Sequence, residues 1–148
     1  MNSISKRKKL TNSESKQSTR PSKEEIMMKL AESVSLRSSC KRLHVGSVIT
    51  SYDFKNIKAY GYNGNYAGGP NECDVDLQGN CGCVHSEINA LIKAKIEETD
   101  VIFITDSPCV SCAKCIINSG IKIVYYRRDY RSQDGLNLLK KMITVIKI

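Results

Sequence analysis

Apolar residues at Ile26, Leu30 and Val34, flanked by Met27 and Ala31, recur at the spacing of one helix face and predict a helix over 24–39. Two runs follow, Val45–Thr50 and Asn56–Tyr62, which predict strands joined in a hairpin around Tyr52–Lys55. Residues 63–84 lose all periodicity, hold five glycines and Pro70, and predict a long loop. Helical spacing returns at Ile88, Leu91, Ile92 and Ile96 and predicts a helix over 85–97. The unbroken run Val101–Thr105 predicts a buried strand, and Pro108 introduces a short helix over 109–119. A strand over 121–126, a helix over 136–142 and a strand over 144–148 complete the chain. There is no internal repeat. This element order implies a layered α/β fold with a mixed sheet.

The length of 148 residues fits one domain, and 41% hydrophobic with 26% charged residues excludes wholesale disorder. No segment approaches the ~18 apolar residues of a membrane span. The N-terminus, MNSISKRKKL, has charge but no apolar run, so a secretory signal is not expected. An intracellular, cytoplasmic location follows; the basic run Lys6–Lys9 leaves the nucleus open.

The formal net charge of +8 raises the question of nucleic acid, but its distribution answers against it. Residues 1–23 hold seven Lys/Arg and one Glu; taking these from the totals of 23 basic and 15 acidic leaves the body 16 and 14, nearly neutral. Residues 1–22 therefore read as a disordered basic tail, and 23–148 as the functional domain.

Seven cysteines, an odd number without an export signal, point to metal or catalysis rather than disulfides. His85-Ser86-Glu87 opens one predicted helix, and Pro108-Cys109-Val110-Ser111-Cys112 opens another. A catalytic zinc takes three protein ligands and keeps a fourth position for water, which His85, Cys109 and Cys112 satisfy. Helix N-termini favour thiolates. Glu87, two residues past the histidine, is placed to move the proton of that water. The combined H-x-E and P-C-x-x-C pattern is the signature of zinc deaminases acting on nucleobases. Cys115 would close the zinc if it joined, so it reads as a small buried residue. His44 has no motif partner and reads as a surface or hydrogen-bonded histidine. Arg127, Arg128 and Arg131 read as a solvated face.

Over residues 24–131 the chain resembles the deoxycytidylate (dCMP) deaminases of the cytidine deaminase superfamily, in particular the phage and viral type. The resemblance rests on Arg37–Cys40 with Val45–Ile49, Gly61–Gly64 with Ala67–Gly69, His85–Ala90, Ser107–Cys112, and Ser119–Lys122 leading to Tyr126 and Tyr130. It implies a three-layer α/β/α sandwich around a central mixed five-stranded sheet. It implies zinc on His85, Cys109 and Cys112. Glu87 would deprotonate water and protonate the pyrimidine N3, hydroxide would attack C4, and ammonia would leave, giving dUMP. Substrate contacts are expected from Asn63, near the sugar and phosphate, from the Ser86 backbone and from Tyr126. Lys41 and Arg42 are the candidates for the phosphate. Action on dCTP is an extension of this expectation. The rival is a polynucleotide deaminase acting on single-stranded DNA or RNA, a second rival being a zinc protein without catalysis. The resemblance further implies a homo-oligomer, commonly a hexamer, a small nucleotide as partner, and no membrane.

Ser86 replaces the usual alanine of the motif, and Tyr66 replaces a proline in a loop that helps bind a nucleoside triphosphate effector in regulated members. Mg²⁺ would accompany only a bound triphosphate. Phage-type members carry a second zinc held partly by cysteines matching Cys40 and one near Cys73, completed by histidines that this chain lacks. Cys81 and Cys83 are expected to replace them, giving a closed Cys₄ site of the structural kind.

Overall fold

The computed structural model describes residues 19–98 and 100–148, so the tail expected over 1–22 lies outside the described residues up to position 18. In chain order the elements are α1 (Lys23–Ser35), β1 (Gly46–Thr50), β2 (Ile57–Tyr62), α2 (Ser86–Lys93), β3 (Val101–Asp106), α3 (Val110–Ser119), β4 (Ile123–Arg128), α4 (Asp134–Met142) and β5 (Thr144–Lys147). The five strands form one sheet in the order β2-β1-β3-β4-β5. β1 runs antiparallel to β2 and β3, while β3, β4 and β5 are parallel and joined through the crossover helices α3 and α4. The sheet is mixed and five-stranded, as expected.

Alternation along the strands builds two cores. Val48, Val101 and Phe103 point to one face, where Met28 and Ala31 of α1 cover them. Their neighbours Ile49, Ile102 and Ile104 point to the other, against Ala90 of α2, Ala113 and Ile116 of α3 and Leu139 of α4. The central strands β1 and β3 are buried throughout, which is why they read as unbroken apolar runs.

Several boundaries differ from expectation, among them the start of α4, which comes two residues early at Asp134. α1 stops at Ser35, where Leu36 and Arg37 bond back three residues to Ser33 and Val34; the turn that follows delivers Cys40 to the cysteine cluster described below. α2 stops at Lys93 instead of running to residue 97. There the buried Asp100 carboxylate accepts from the Glu97 N–H at 2.8 Å and from Lys58 Nζ at 2.8 Å. These bonds hold the segment outside the helix while Ile96 still packs on the core, so the apolar spacing imitated another turn. Ile121 is buried core, but the fourth strand begins only at Ile123 and continues to Arg128.

Candidate active site and metal centres

The site forms where α2 and α3 begin. His85 is the N-cap of α2 and Cys109 the N-cap of α3, so both sit where unpaired helix N–H groups gather; Cys112 donates its N–H to Cys109 Sγ at 3.5 Å. α2 can lie this close to the sheet because position 61 is glycine. A Cβ there would come within 2.2 Å of the Ser86 carbonyl. Asn89 fixes the same helix by donating to the Tyr62 carbonyl at 2.9 Å. Just before His85, Gly64 and Val84 exchange two backbone bonds of 3.1 and 2.7 Å, which pin the base of the long loop.

Both thiols face Nδ1 of His85, Cys109 at 3.6 Å and Cys112 at 3.3 Å. A tetrahedral zinc with ordinary Zn–S and Zn–N bonds would set its S and N ligands about 3.5 Å apart, so these three residues fit the metal through Nδ1. The electrostatics suit it as well. Hydrogen bonds from Cys112 and His85 hold the Cys109 thiol down to about 3, against the cost of burial. The hydrogen bond to Cys109 lifts His85 to about 9. The neighbouring Cys109 sulfur pushes Cys112 up, a cost that a dication between the two sulfurs offsets.

Glu87 is 4% exposed and faces the same floor. Its Oε2 accepts from Ser86 Oγ at 3.0 Å, and Ser86 Oγ in turn pairs with Ser47 Oγ of β1 at 2.7 Å. The Ser86 side chain thus occupies one carboxylate oxygen. Burial raises the Glu87 carboxyl; its own backbone N–H, His85 and Ser86 oppose this.

Above this floor opens a cavity whose walls include Arg42, Leu43, Asn63, Asp106, Ser107 and Tyr130. Asn63 lines it, but its amide is already engaged, donating to the Leu43 carbonyl at 2.6 Å and accepting from the Val45 N–H at 2.8 Å. It therefore holds the chain entering β1 in place. Arg42 reaches the wall and pairs with Asp76 at 2.6 Å. Lys41 is exposed, and Tyr126 is buried in β4 beside Lys147; neither lines this cavity or the two that adjoin it. Tyr130, two residues past β4 and fixed by its N–H bond to Ser107 Oγ at 2.7 Å, takes the wall position expected of Tyr126. Sequence spacing names both tyrosines; only the end of β4 tells them apart. Of the three arginines expected on a solvated face, Arg128 and Arg131 are exposed, but Arg127 is half-buried and pairs with Glu25 and Glu32 of α1, and Arg128 also grips Asp106 with two bonds of 3.0 and 2.8 Å. His44 is exposed, as expected, and Cys115 is exposed rather than buried and belongs to no cluster, because it lies on the outward face of α3.

The other four cysteines also converge. Sulfur separations are 3.8 Å for Cys40 and Cys73, 3.9 Å for Cys40 and Cys81, and 3.6 Å for Cys73 and Cys83. The edge of a tetrahedral ZnS₄ unit is about 3.8 Å. All four ligand atoms lie within 4.8 Å of one another. Burial works against ionising Cys40, but the Leu43 and Arg42 N–H groups outweigh it and hold the thiol down. The Lys41 N–H supports Cys73 in the same way, although burial, and after it the neighbouring sulfurs, leave that thiol and Cys83 pushed up. Cys40, Cys81 and Cys83 also line the cavity, so this cluster forms part of its wall. Among the described residues no helix is long and apolar enough to cross a membrane.

Residues 21–128 match the family described as the cytidine and deoxycytidylate deaminase zinc-binding region. The deoxycytidylate deaminase of Saccharomyces cerevisiae is 31% identical, over 95% of this chain and 50% of its own length. ComE operon protein 2 of Bacillus subtilis is 39% identical, over 67% of this chain and 56% of its own. The chain thus spans about half the length of these curated relatives. Among solved structures, the dCMP deaminase of the cyanophage S-TIM5 in complex with dCMP and dUMP is 36% identical, with a TM-score of 0.78 over 88% of this chain and 100% of that one.

Proposed function

Because the chain belongs to the cytidine and deoxycytidylate deaminase family, we propose that it converts dCMP and water to dUMP and ammonia. The observation that carries this reading is Glu87, buried beside three residues that fit a zinc at the floor of an open cavity. A purely structural site would have no use for that carboxylate. The cyanophage relative was captured with dCMP and dUMP.

His85, Cys109 and Cys112 would hold zinc, which when bound lowers the pKa of a coordinated water to about 7 and supplies a nucleophile at neutral pH. The chain's own residues do the rest. Glu87 Oε1 accepts the proton of the attacking water and delivers it to N3 of the cytosine. It then takes the remaining proton and passes it to the departing amino nitrogen, so that C4 exchanges its C–N bond for C=O and ammonia leaves. Ser86, backed by Ser47, holds the other oxygen and so the carboxylate plane. A carboxyl raised by burial suits a group that must both accept and return a proton.

Three further readings belong to this proposal. Cys40, Cys73, Cys81 and Cys83 hold a second, structural zinc that fixes the loop over 63–84, which their sulfur spacing supports. Residues 23–148 form the deaminase domain, in the cytoplasm and as a homo-oligomer. Mg²⁺ enters only with a nucleoside triphosphate. The reaction is tested by incubating the purified protein with dCMP. One ammonia released per dUMP formed supports it, and dCMP recovered unchanged contradicts it.

A further inference from the structure

The four cysteines of the second cluster are not equivalent. Cys73, Cys81 and Cys83 belong to the loop over 63–84, and only Cys40 stands outside it, on the segment that leads into β1. Cys40 is buried, whereas the other three are half-buried. Cys83 lines the deep cavity and also an adjoining one that runs along the N-terminus of α3, so solutes reach it from two sides. Cys73 Sγ lies 3.6 Å from it, closer than the 3.8 and 3.9 Å that separate Cys40 from Cys73 and Cys81. The backbone holds the two opposite each other. Just inside the pair, the Asp74 and Val75 N–H groups donate to the Cys81 carbonyl at 2.9 and 3.3 Å, and Asn80 closes the tip on the Leu77 carbonyl. Asp74 lies against Gly82, where φ is 84° and an added Cβ would come within 2.2 Å of the carboxylate. The two arms of the loop are thus zipped together, with Cys73 on one and Cys83 on the other.

Resting on the reading of this cluster as a structural zinc site, we propose that Cys83 and Cys73 form a reversible oxidation site for hydroperoxides, and that its oxidation frees the loop from the wall that carries Cys40. Sulfurs that coordinate a metal are thiolates, the form that reacts with peroxide. The Cys83 thiolate attacks one oxygen of hydrogen peroxide and the O–O bond breaks. The sulfur becomes a sulfenic acid, and the departing hydroxide takes a proton from solvent. The Cys73 thiolate then attacks that sulfur, the S–S bond forms, and the sulfenic oxygen leaves as a second hydroxide that is protonated in turn. The sulfurs lose two electrons, the peroxide takes them, and two waters result. A disulfide is about 2.05 Å long, while tetrahedral zinc keeps its sulfurs about 3.8 Å apart, so the bond and the metal exclude each other. The new bond lies wholly within the loop. Cys40 is then left without its link to the loop, and the exposed Arg42–Asp76 pair is too weak to replace it. Cys40, Arg42 and Leu43 all line the deep cavity, so its wall loosens. The catalytic pair offers a poorer second sulfur, because Cys112 is 1% exposed within α3.

The test treats the zinc-loaded full chain with one equivalent of hydrogen peroxide. Released zinc is read with a chromogenic chelator, the thiols are mapped by alkylation and mass spectrometry, and the loop is probed with chymotrypsin. The expected product has a Cys73–Cys83 disulfide, alkylated Cys40 and Cys81, and one zinc released per disulfide. A dithiol reductant with added zinc should reverse all three. Chymotrypsin should cut after Tyr66 or Leu77, both exposed on the loop, several-fold faster in the oxidised protein than in the reduced one. Cys115→Ser should behave as the parent does, which removes the exposed lone thiol from the reading. A first disulfide that includes Cys40, or one that joins Cys109 to Cys112, overturns the proposal, as does an oxidised protein cut no faster than the reduced one. A Cys73–Cys83 bond formed in protein that never held a second zinc refutes the metal reading and leaves the oxidation site standing.

Discussion

Glu87→Gln protein should bind zinc as the parent does and turn over dCMP roughly 10²- to 10⁴-fold more slowly. The amide keeps the size of the carboxyl group and can still meet Ser86, but it cannot accept the proton of the attacking water. The substitution also removes a buried ionisable group that burial already disfavours as an anion, so the fold should not suffer. Metal analysis and kcat measured on the same sample check both halves. A variant within a few-fold of the parent rate contradicts the role assigned to Glu87. A variant that has lost its zinc would instead make Glu87 a support for the metal.

Cys81→Ser should release the second metal and lower the melting temperature by roughly 10 °C or more, since loss of a few kcal/mol moves a domain of this size by that much. Structural zinc sites contribute folding free energy directly. Here the metal would stand in for the core that the long loop lacks. Beyond the Gly64–Val84 bridge and the Asp74 and Val75 bonds to the Cys81 carbonyl, few backbone bonds hold that loop. Cys83 lies two residues before His85, so catalysis should weaken together with stability. Cys115→Ser, on the outward face of α3, should change neither metal content nor melting temperature. One zinc per chain, with Cys40 and Cys73 freely alkylated in the folded protein, rules out the second site.

The two clusters that could hold a metal were legible because metal chemistry imposes spacing. Zinc needs donors that converge on one point, and His85, Cys109 and Cys112 each sit where a predicted helix begins. The four remaining cysteines could be grouped by number alone, since a closed site needs four. What spacing cannot give is the direction of a side chain on irregular backbone. Asn63 proved to hold backbone with both ends of its amide, Lys41 faces solvent, and the wall tyrosine is Tyr130. Each of these depends on where a strand ends or a loop turns. The same holds for the end of α2, where Asp100 takes over backbone bonding while Ile96 keeps the helical spacing.

The central claim, that this is a deaminase of a free nucleotide, is tested most directly by turnover of dCMP, deoxycytidine and a single-stranded deoxycytidine-containing oligonucleotide side by side. The account predicts the highest kcat/KM for dCMP, well above deoxycytidine, because a site built for a nucleotide loses its phosphate contacts when the phosphate is missing. It also predicts little action on the oligonucleotide, whose backbone needs a continuous basic track that this nearly neutral body does not supply. Faster deamination of the oligonucleotide than of dCMP would contradict it.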